Sequence, residues 1–198
     1  MSRPSIVLFD VMGTLVHDPF YEEVPRLFGM SLEELIAIKH PSAWIEFERG
    51  EIDEDALAAK FFADGRSFDL AGLKQTMKHA YRPLQGIEAL LDELEREAVS
   101  MHAFSNYSPW YRLIEDTVGL SRWLEWSFVS CETGLRKPAD AAYSLVVQQL
   151  ARPAGDMLFV DDREENCEGA RRAGMHAIHF TDASELRERL VMVGLLGR

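Results

Sequence analysis

Four short stretches concentrate the residues able to do chemistry: FDVMGTL with Asp10, FSNYS with Ser105, GLRKP with Lys137, and VDDREEN with Asp161 and Asp162. Transfer of a phosphoryl group to a carboxylate needs a nucleophile, neutralisation of the phosphate oxygens and in-line positioning. Each stretch can supply one part. Asp10 is the carboxylate, and Asp161 with Asp162 are hard oxygen ligands suited to Mg2+. Lys137 is a point charge, while Ser105 and nearby backbone N–H groups are donors. Two adjacent acids after an apolar run repel one another without a cation, so their placement itself argues for a metal.

These residues need a scaffold that brings them together. SIVLFDV (Ser5 to Val11) is an apolar, β-branched run ending at an aspartate, the pattern of a buried parallel strand. Runs of the same kind recur at Ser100 to Phe104, Trp126 to Ser130, Met157 to Val160 and His176 to Phe180. Helix-period segments separate them: Ile87 to Glu97, Pro109 to Thr117, Ala139 to Leu150, Asn166 to Ala173, and a last one carrying Leu186, Leu190 and Val193. The alternation predicts an α/β fold, a doubly wound parallel sheet with right-handed crossovers. Residues 18–81 break it. Ser31 with Glu34 forms a capping box, Asp53 can cap a helix carrying Leu57 and Phe61, and Asp69 one carrying Leu70, Leu73 and Met77. The expectation is a core domain of residues 1–17 and 82–198 with a small all-helical cap, 18–81, inserted after the first strand. That cap would sit above the strand's C-terminal end, where open α/β sheets bind ligands.

Composition narrows the partners. A formal net charge of -12, with 33 acidic against 21 basic residues, disfavours nucleic acid and anionic membrane surfaces. An anionic substrate then requires a local positive site, and a small phosphorylated metabolite is the expected partner. Cys131 and Cys167 have no zinc-ligand spacing and read as reduced thiols. No apolar run has membrane length, and a strand starting at Ser5 leaves no room for a signal peptide. A cytosolic protein is expected, or a plastid stromal one if the chain is a mature plant or algal protein, as a monomer or homodimer.

The four stretches together resemble the motif set of the haloacid dehalogenase superfamily in order, spacing type and strand context. The resemblance implies that Asp10 becomes an aspartyl phosphate and that Thr14 is the hydroxyl of the same loop. It implies that Ser105 and Asn106 bind phosphoryl oxygens, that Lys137 stabilises their charge, and that Asp10, Asp161, Asp162 and the Met12 backbone carbonyl hold Mg2+. Asn166 takes the trailing position of the fourth motif. Met12 is a departure, because family phosphatases carry at that position a second aspartate that serves as acid and base. Its loss raises the barrier by roughly 3 to 5 kcal/mol. His17, His40 and Glu46 are the candidate substitutes.

The family's dehalogenases and phosphonate hydrolases also lack the second aspartate. The acidic pair at 161–162 and the absence of an arginine near Pro41 argue against the first. Lys39 and Lys60 are the cap lysines considered for the second, and neither stands in a familiar context. A weakened, phosphate-binding member is a third alternative. A closer resemblance runs through FDVMGTLVHDPFYEEVP, KHPSAWIEFERGEIDED, HAFSNYSPWY and RKPADAAY, which look like the plant plastid flavin mononucleotide (FMN) hydrolases. It implies hydrolysis of FMN to riboflavin. Trp44, Phe47, Phe20 and Tyr21 could stack on a flavin ring, although Trp44 and Phe47 at helical spacing equally suit cap core. Tyr143 reads as packing.

Overall fold

The computed structural model describes residues 3–197, so the outermost residues of the expected core domain (1, 2 and 198) lie outside it. Five parallel strands form one sheet: β1 (Ile6–Phe9), β2 (Ser100–Ser105), β3 (Glu125–Val129), β4 (Met157–Asp161) and β5 (His176–His179), in the order β3-β2-β1-β4-β5. The chain steps outward from β1 to one edge and then crosses back to its other side. β1 is therefore central, and the strand order reverses beside it.

Both faces of the sheet are covered, which explains the unbroken apolar runs. Val7 and Phe9 of β1 face one hydrophobic layer, whereas Ile6 and Leu8 face the other. Period-two alternation sends successive side chains to opposite faces, and burying each contributes on the order of 1.5–3 kcal/mol.

The chain continues through α1 (Glu23–Leu27), α2 (Leu32–Ile38), α3 (Ala43–Glu48), α4 (Glu54–Lys60), α5 (Leu70–Ala80), α6 (Ile87–Arg96), α7 (Tyr111–Val118), α8 (Ser130–Thr133), α9 (Asp140–Leu150), α10 (Glu164–Arg172) and α11 (Ala183–Met192). Helices α6, α7 and α11 pack on the face of Val7 and Phe9 through Leu90, Leu94, Ile114, Leu186 and Leu190. Helices α9 and α10 cover the other face through Tyr143, Val146 and Ala170.

Between β1 and α6 lie α1 to α5, with no strand among the described residues and three isolated bridges, Met12 to Val16, Val16 to Pro83 and Lys39 to Phe62. The expected caps form. Ser31 accepts from Glu34 N while Glu34 accepts from Ser31 N, Asp53 accepts from Ala56 N, and Asp69 accepts from Gly72 N. Helix α4 stops at Lys60, so Phe61 is buried just beyond it rather than on it. Helix α1, which the sequence reading missed, has five residues and no side-chain cap. Among the described residues no helix is long and apolar enough to cross a membrane, and both cysteines are unpaired.

Candidate active site

Strand register assembles the site. Phe9 is paired with Val160 and with Ala103, so the residues that follow, Asp10, Asp161 and Phe104, lie side by side at the C-terminal end of the sheet. Asp10 N donates to Val160 O at 2.9 Å, which fixes the turn out of β1. The chain then folds back on itself, with Leu15 N and Val16 N both donating to Val11 O at 2.9 Å. That reversal requires a left-handed residue, supplied by Gly13 at φ 78°. A Cβ there would lie 2.7 Å from Asp162 Oδ2. Thr14 is fully buried, and its hydroxyl accepts from Asp162 N at 3.1 Å. Thr14 therefore faces the backbone of the fourth motif.

Lys137 arrives from the loop between α8 and α9. Asn106 clamps this loop, accepting from Lys137 N at 2.8 Å and donating to Lys137 O at 2.9 Å. The amide oxygen and one of its two N–H groups thus hold the Lys137 backbone, while Asn106 also lines the cleft above. Lys137 Nζ donates to Asp10 Oδ1 at 2.8 Å, Asp161 Oδ2 at 2.7 Å and Phe104 O at 2.6 Å. An ammonium has three donors, so all are used on the protein. Burial opposes its charge, yet the two carboxylates outweigh burial and hold its pKa above the ordinary lysine value.

The carboxylates are under strain of the opposite kind. Burial pushes the Asp10 carboxyl up to about 7; Lys137 opposes the shift, and Asp161 and Asp162 reinforce it. Burial and the adjacent Asp161 likewise raise Asp162. Asp161 is held by Arg163 N at 2.8 Å and by Asn166 Nδ2 at 3.0 Å from each of its oxygens. Ligand oxygens of Asp10, Asp161 and Asp162 lie within 4.8 Å of one another. Three convergent hard oxygens, with like charge that the single lysine does not relieve, fit Mg2+ by donor chemistry. Nearby, the buried Ser105 Oγ has no hydrogen-bond partner. An orphaned hydroxyl is costly unless something binds it.

Above these groups opens a cleft of about 280 Å3. Asp10, Met12, Asn106, Lys137 and Asp162 line its floor, and Phe20, Tyr21, Lys39, Trp44 and Met77 come from the segment between β1 and α6. Phe47 does not line it, which corrects the expectation of substrate contact. It is 1% exposed and packs edge-on against Trp44 and Trp110, with ring centroids 5.8 and 5.4 Å away. The proposed stand-ins for a second aspartate also lie off the cleft wall. His17 pairs with Glu23 at 3.0 Å, His40 meets Ser42, and Glu46 is held by Lys60 and Ser42, each at 2.6 Å. Lys60 is thus committed, while Lys39 has no ion-pair partner among the described residues.

Several lining residues went unread in the sequence: Asp18, Glu48, Tyr107, Arg136 and Arg163. The arginines adjoin Lys137 and Asp162, which was the available signal. Arg136 Nη2 lies 2.6 Å from Glu48 Oε2 as an ion pair without hydrogen-bond alignment, and Trp44 Nε1 donates to Glu48 Oε1 at 2.8 Å.

Comparison with known proteins agrees with this arrangement. The family of haloacid dehalogenase-like hydrolases matches residues 4–174. A chloroplastic flavin mononucleotide hydrolase of Arabidopsis thaliana is 47% identical over 190 residues, covering 96% of this chain and 78% of that protein. A sesquiterpene phosphatase of Aspergillus oryzae is 28% identical, over 78% of this chain and 80% of its own. Among solved structures, a variant of a haloacid dehalogenase family enzyme from Bacteroides thetaiotaomicron, in complex with magnesium and inorganic phosphate, superposes with a TM-score of 0.72. It is 16% identical and covers 92% of this chain and 98% of its own, so it speaks to the fold. The family match spans all four motif stretches, from β1 to beyond β4, and this protein is a haloacid dehalogenase-like hydrolase of the phosphatase type.

Proposed function

We propose that this protein is a Mg2+-dependent phosphomonoester hydrolase that works through a phosphorylated Asp10, with FMN as its substrate. The observation that carries the reading is one buried lysine shared between Asp10 and Asp161, beside a third carboxylate and an orphaned hydroxyl. Held by Asp10, Asp161, Asp162 and the Met12 carbonyl, the ion would supply charge neutralisation at the phosphoryl oxygens.

The remaining work falls to the chain itself. An Asp10 oxygen attacks phosphorus, forming the aspartyl phosphate as the ester oxygen leaves. Lys137 neutralises the floor on which an anion must land, and the free Ser105 hydroxyl donates to a phosphoryl oxygen. Thr14 and Asn166 position Asp162 and Asp161. Residues 18–81 act as the cap, closing Phe20, Tyr21 and Trp44 over the leaving group and excluding water. The aromatic wall and the 47% identical FMN hydrolase support a flavin there.

The test is phosphate release with Mg2+ from FMN, pyridoxal phosphate, sugar phosphates and nucleotides. FMN should give the highest kcat/KM, with Asp10→Asn inactive. A flat profile removes the flavin assignment, and an active Asp10→Asn removes the aspartyl phosphate. One observation favours a second reading, as a phosphonate hydrolase: Lys39 lines the cleft unpaired, and burial lowers its pKa toward a nucleophilic amine. Borohydride inactivation in the presence of a phosphonoaldehyde, abolished by Lys39→Met, would establish it.

A further inference from the structure

With methionine at position 12, the reaction proposed above has no acid beside its nucleophile for the departing oxygen. Apart from Asp10, four carboxylates line the cleft: Asp18, Glu48, Asp162 and Glu165. Asp162 belongs to the metal set. Glu48 is committed to Arg136 and Trp44, and Glu165 is exposed and faces Arg163 at 3.7 Å. Asp18 is differently placed. Its Oδ1 accepts from Phe20 N at 2.9 Å, and its Oδ2 has no protein partner among the described residues.

The loop leaving Asp10 fixes Asp18 on this wall. Val16 bridges to both Met12 and Pro83, and His17 N donates to Arg82 O at 2.9 Å. The segment is therefore pinned just before Asp18, by a residue that bridges to Met12, and Asp18 and Met12 line the same cleft. Groups facing Asp18 are His17 and Glu23, themselves paired, Arg163, and the Tyr81–Tyr107 hydroxyl pair at 2.7 Å. Burial raises the Asp18 pKa above the ordinary value, against the opposing pull of the Phe20 N–H, His17 and Arg163. A carboxyl that retains its proton further toward neutrality suits an acid–base role.

We propose that Asp18 is the general acid and base of the phosphatase reaction, doing from the start of the cap what Met12 cannot; this rests on the reading of Asp10 as nucleophile. In the first step the Asp10–phosphorus bond forms, the ester P–O bond breaks, and the Asp18 proton passes to the leaving oxygen, giving the free alcohol. In the second step Asp18 carboxylate takes a proton from water, whose oxygen bonds to phosphorus as the Asp10–phosphorus bond breaks. Hydrogen phosphate leaves, and Asp18 is protonated again.

Asp18→Asn keeps the acceptor for Phe20 N and removes the transferable proton. Single-turnover and steady-state rates are compared with Mg2+ on FMN, whose leaving group is an alkyl alcohol, and on p-nitrophenyl phosphate, whose leaving group needs little protonation. The expected result is a loss of about 10^2 to 10^4-fold in the first turnover on FMN. On p-nitrophenyl phosphate the first turnover stays near wild type, as a burst of p-nitrophenol followed by slow release. Burst amplitude counts competent sites, so partial unfolding does not imitate this pattern. Recovery of FMN turnover in Met12→Asp/Asp18→Asn also supports the assignment. Equal first-turnover losses on both esters, or no loss on either, overturn it. Wild-type activity abolished by Asp10→Asn, beside an undiminished Asp18→Asn, overturns Asp18 alone and leaves the phosphatase reading standing.

Discussion

Replacing Lys137 with methionine tests the electrostatic arrangement on which the site depends. The side chain is wholly buried, and its three donors reach Asp10, Asp161 and Phe104 O at 2.8, 2.7 and 2.6 Å. Methionine matches much of its volume, so the cavity left is small. What remains is two carboxylates buried without a cation. Removing one partner of a buried charge network costs about 3–5 kcal/mol. For an m-value of about 2–3 kcal/mol/M in urea, that moves the unfolding midpoint down by roughly 1.5 M. The deficit depends on pH with a definite sign. Asp10 has a raised folded pKa, from 3.8 to about 7, so its contribution to stability is complete below 3.8 and is lost as pH rises through about 7. In EDTA, wild type should therefore lose stability between pH 5 and pH 8. The variant, with Asp10 raised further, should fall behind it most at pH 8. Mg2+ at 100 times its dissociation constant should return about 2.7 kcal/mol. Urea unfolding at both pH values, with and without Mg2+, measures all of this. Equal midpoints for Lys137→Met and wild type at pH 8 in EDTA would refute the reasoning.

Gly13→Ala should cost about 1–2 kcal/mol for the left-handed backbone, and its Cβ must displace Asp162 Oδ2. Calorimetric Mg2+ titration should show affinity down about 10–100-fold; unchanged affinity would mean Asp162 is not a ligand. Phe47→Ala should destabilise by about 3–5 kcal/mol in urea while leaving the KM for FMN within a few-fold. A large KM rise with little loss of stability would return Phe47 to the binding surface. Asn106→Ala removes both bonds that seat the Lys137 backbone, about 1–3 kcal/mol together. Turnover should fall more than KM rises, and the reverse split would assign the amide to the substrate.

Strands and their chemistry were legible because both depend on local pattern. An apolar run buried on two faces reads as such in one dimension, and the five strands lie within two residues of their expected bounds. Side-chain caps made α2, α4 and α5 visible, while α1, without one, was not. Trp44 and Phe47 show the limit. Spacing put them on one helix, but which one faces the cleft depends on how α3 packs against Trp110, a residue more than sixty positions away.

Order along the chain, and the side chains at strand ends, were enough to identify a parallel sheet carrying an aspartate at the end of its first strand, a lysine and an acidic pair. Tertiary structure alone decided that one ammonium serves two carboxylates, that Asn106 and Thr14 hold backbone, and that Asp18 rather than His17, His40 or Glu46 reaches the cleft. The physical reason is that a side chain's role follows from what meets it across the fold. Register between strands and hydrogen bonds between distant loops set those meetings, and neither is written in the spacing of neighbouring residues.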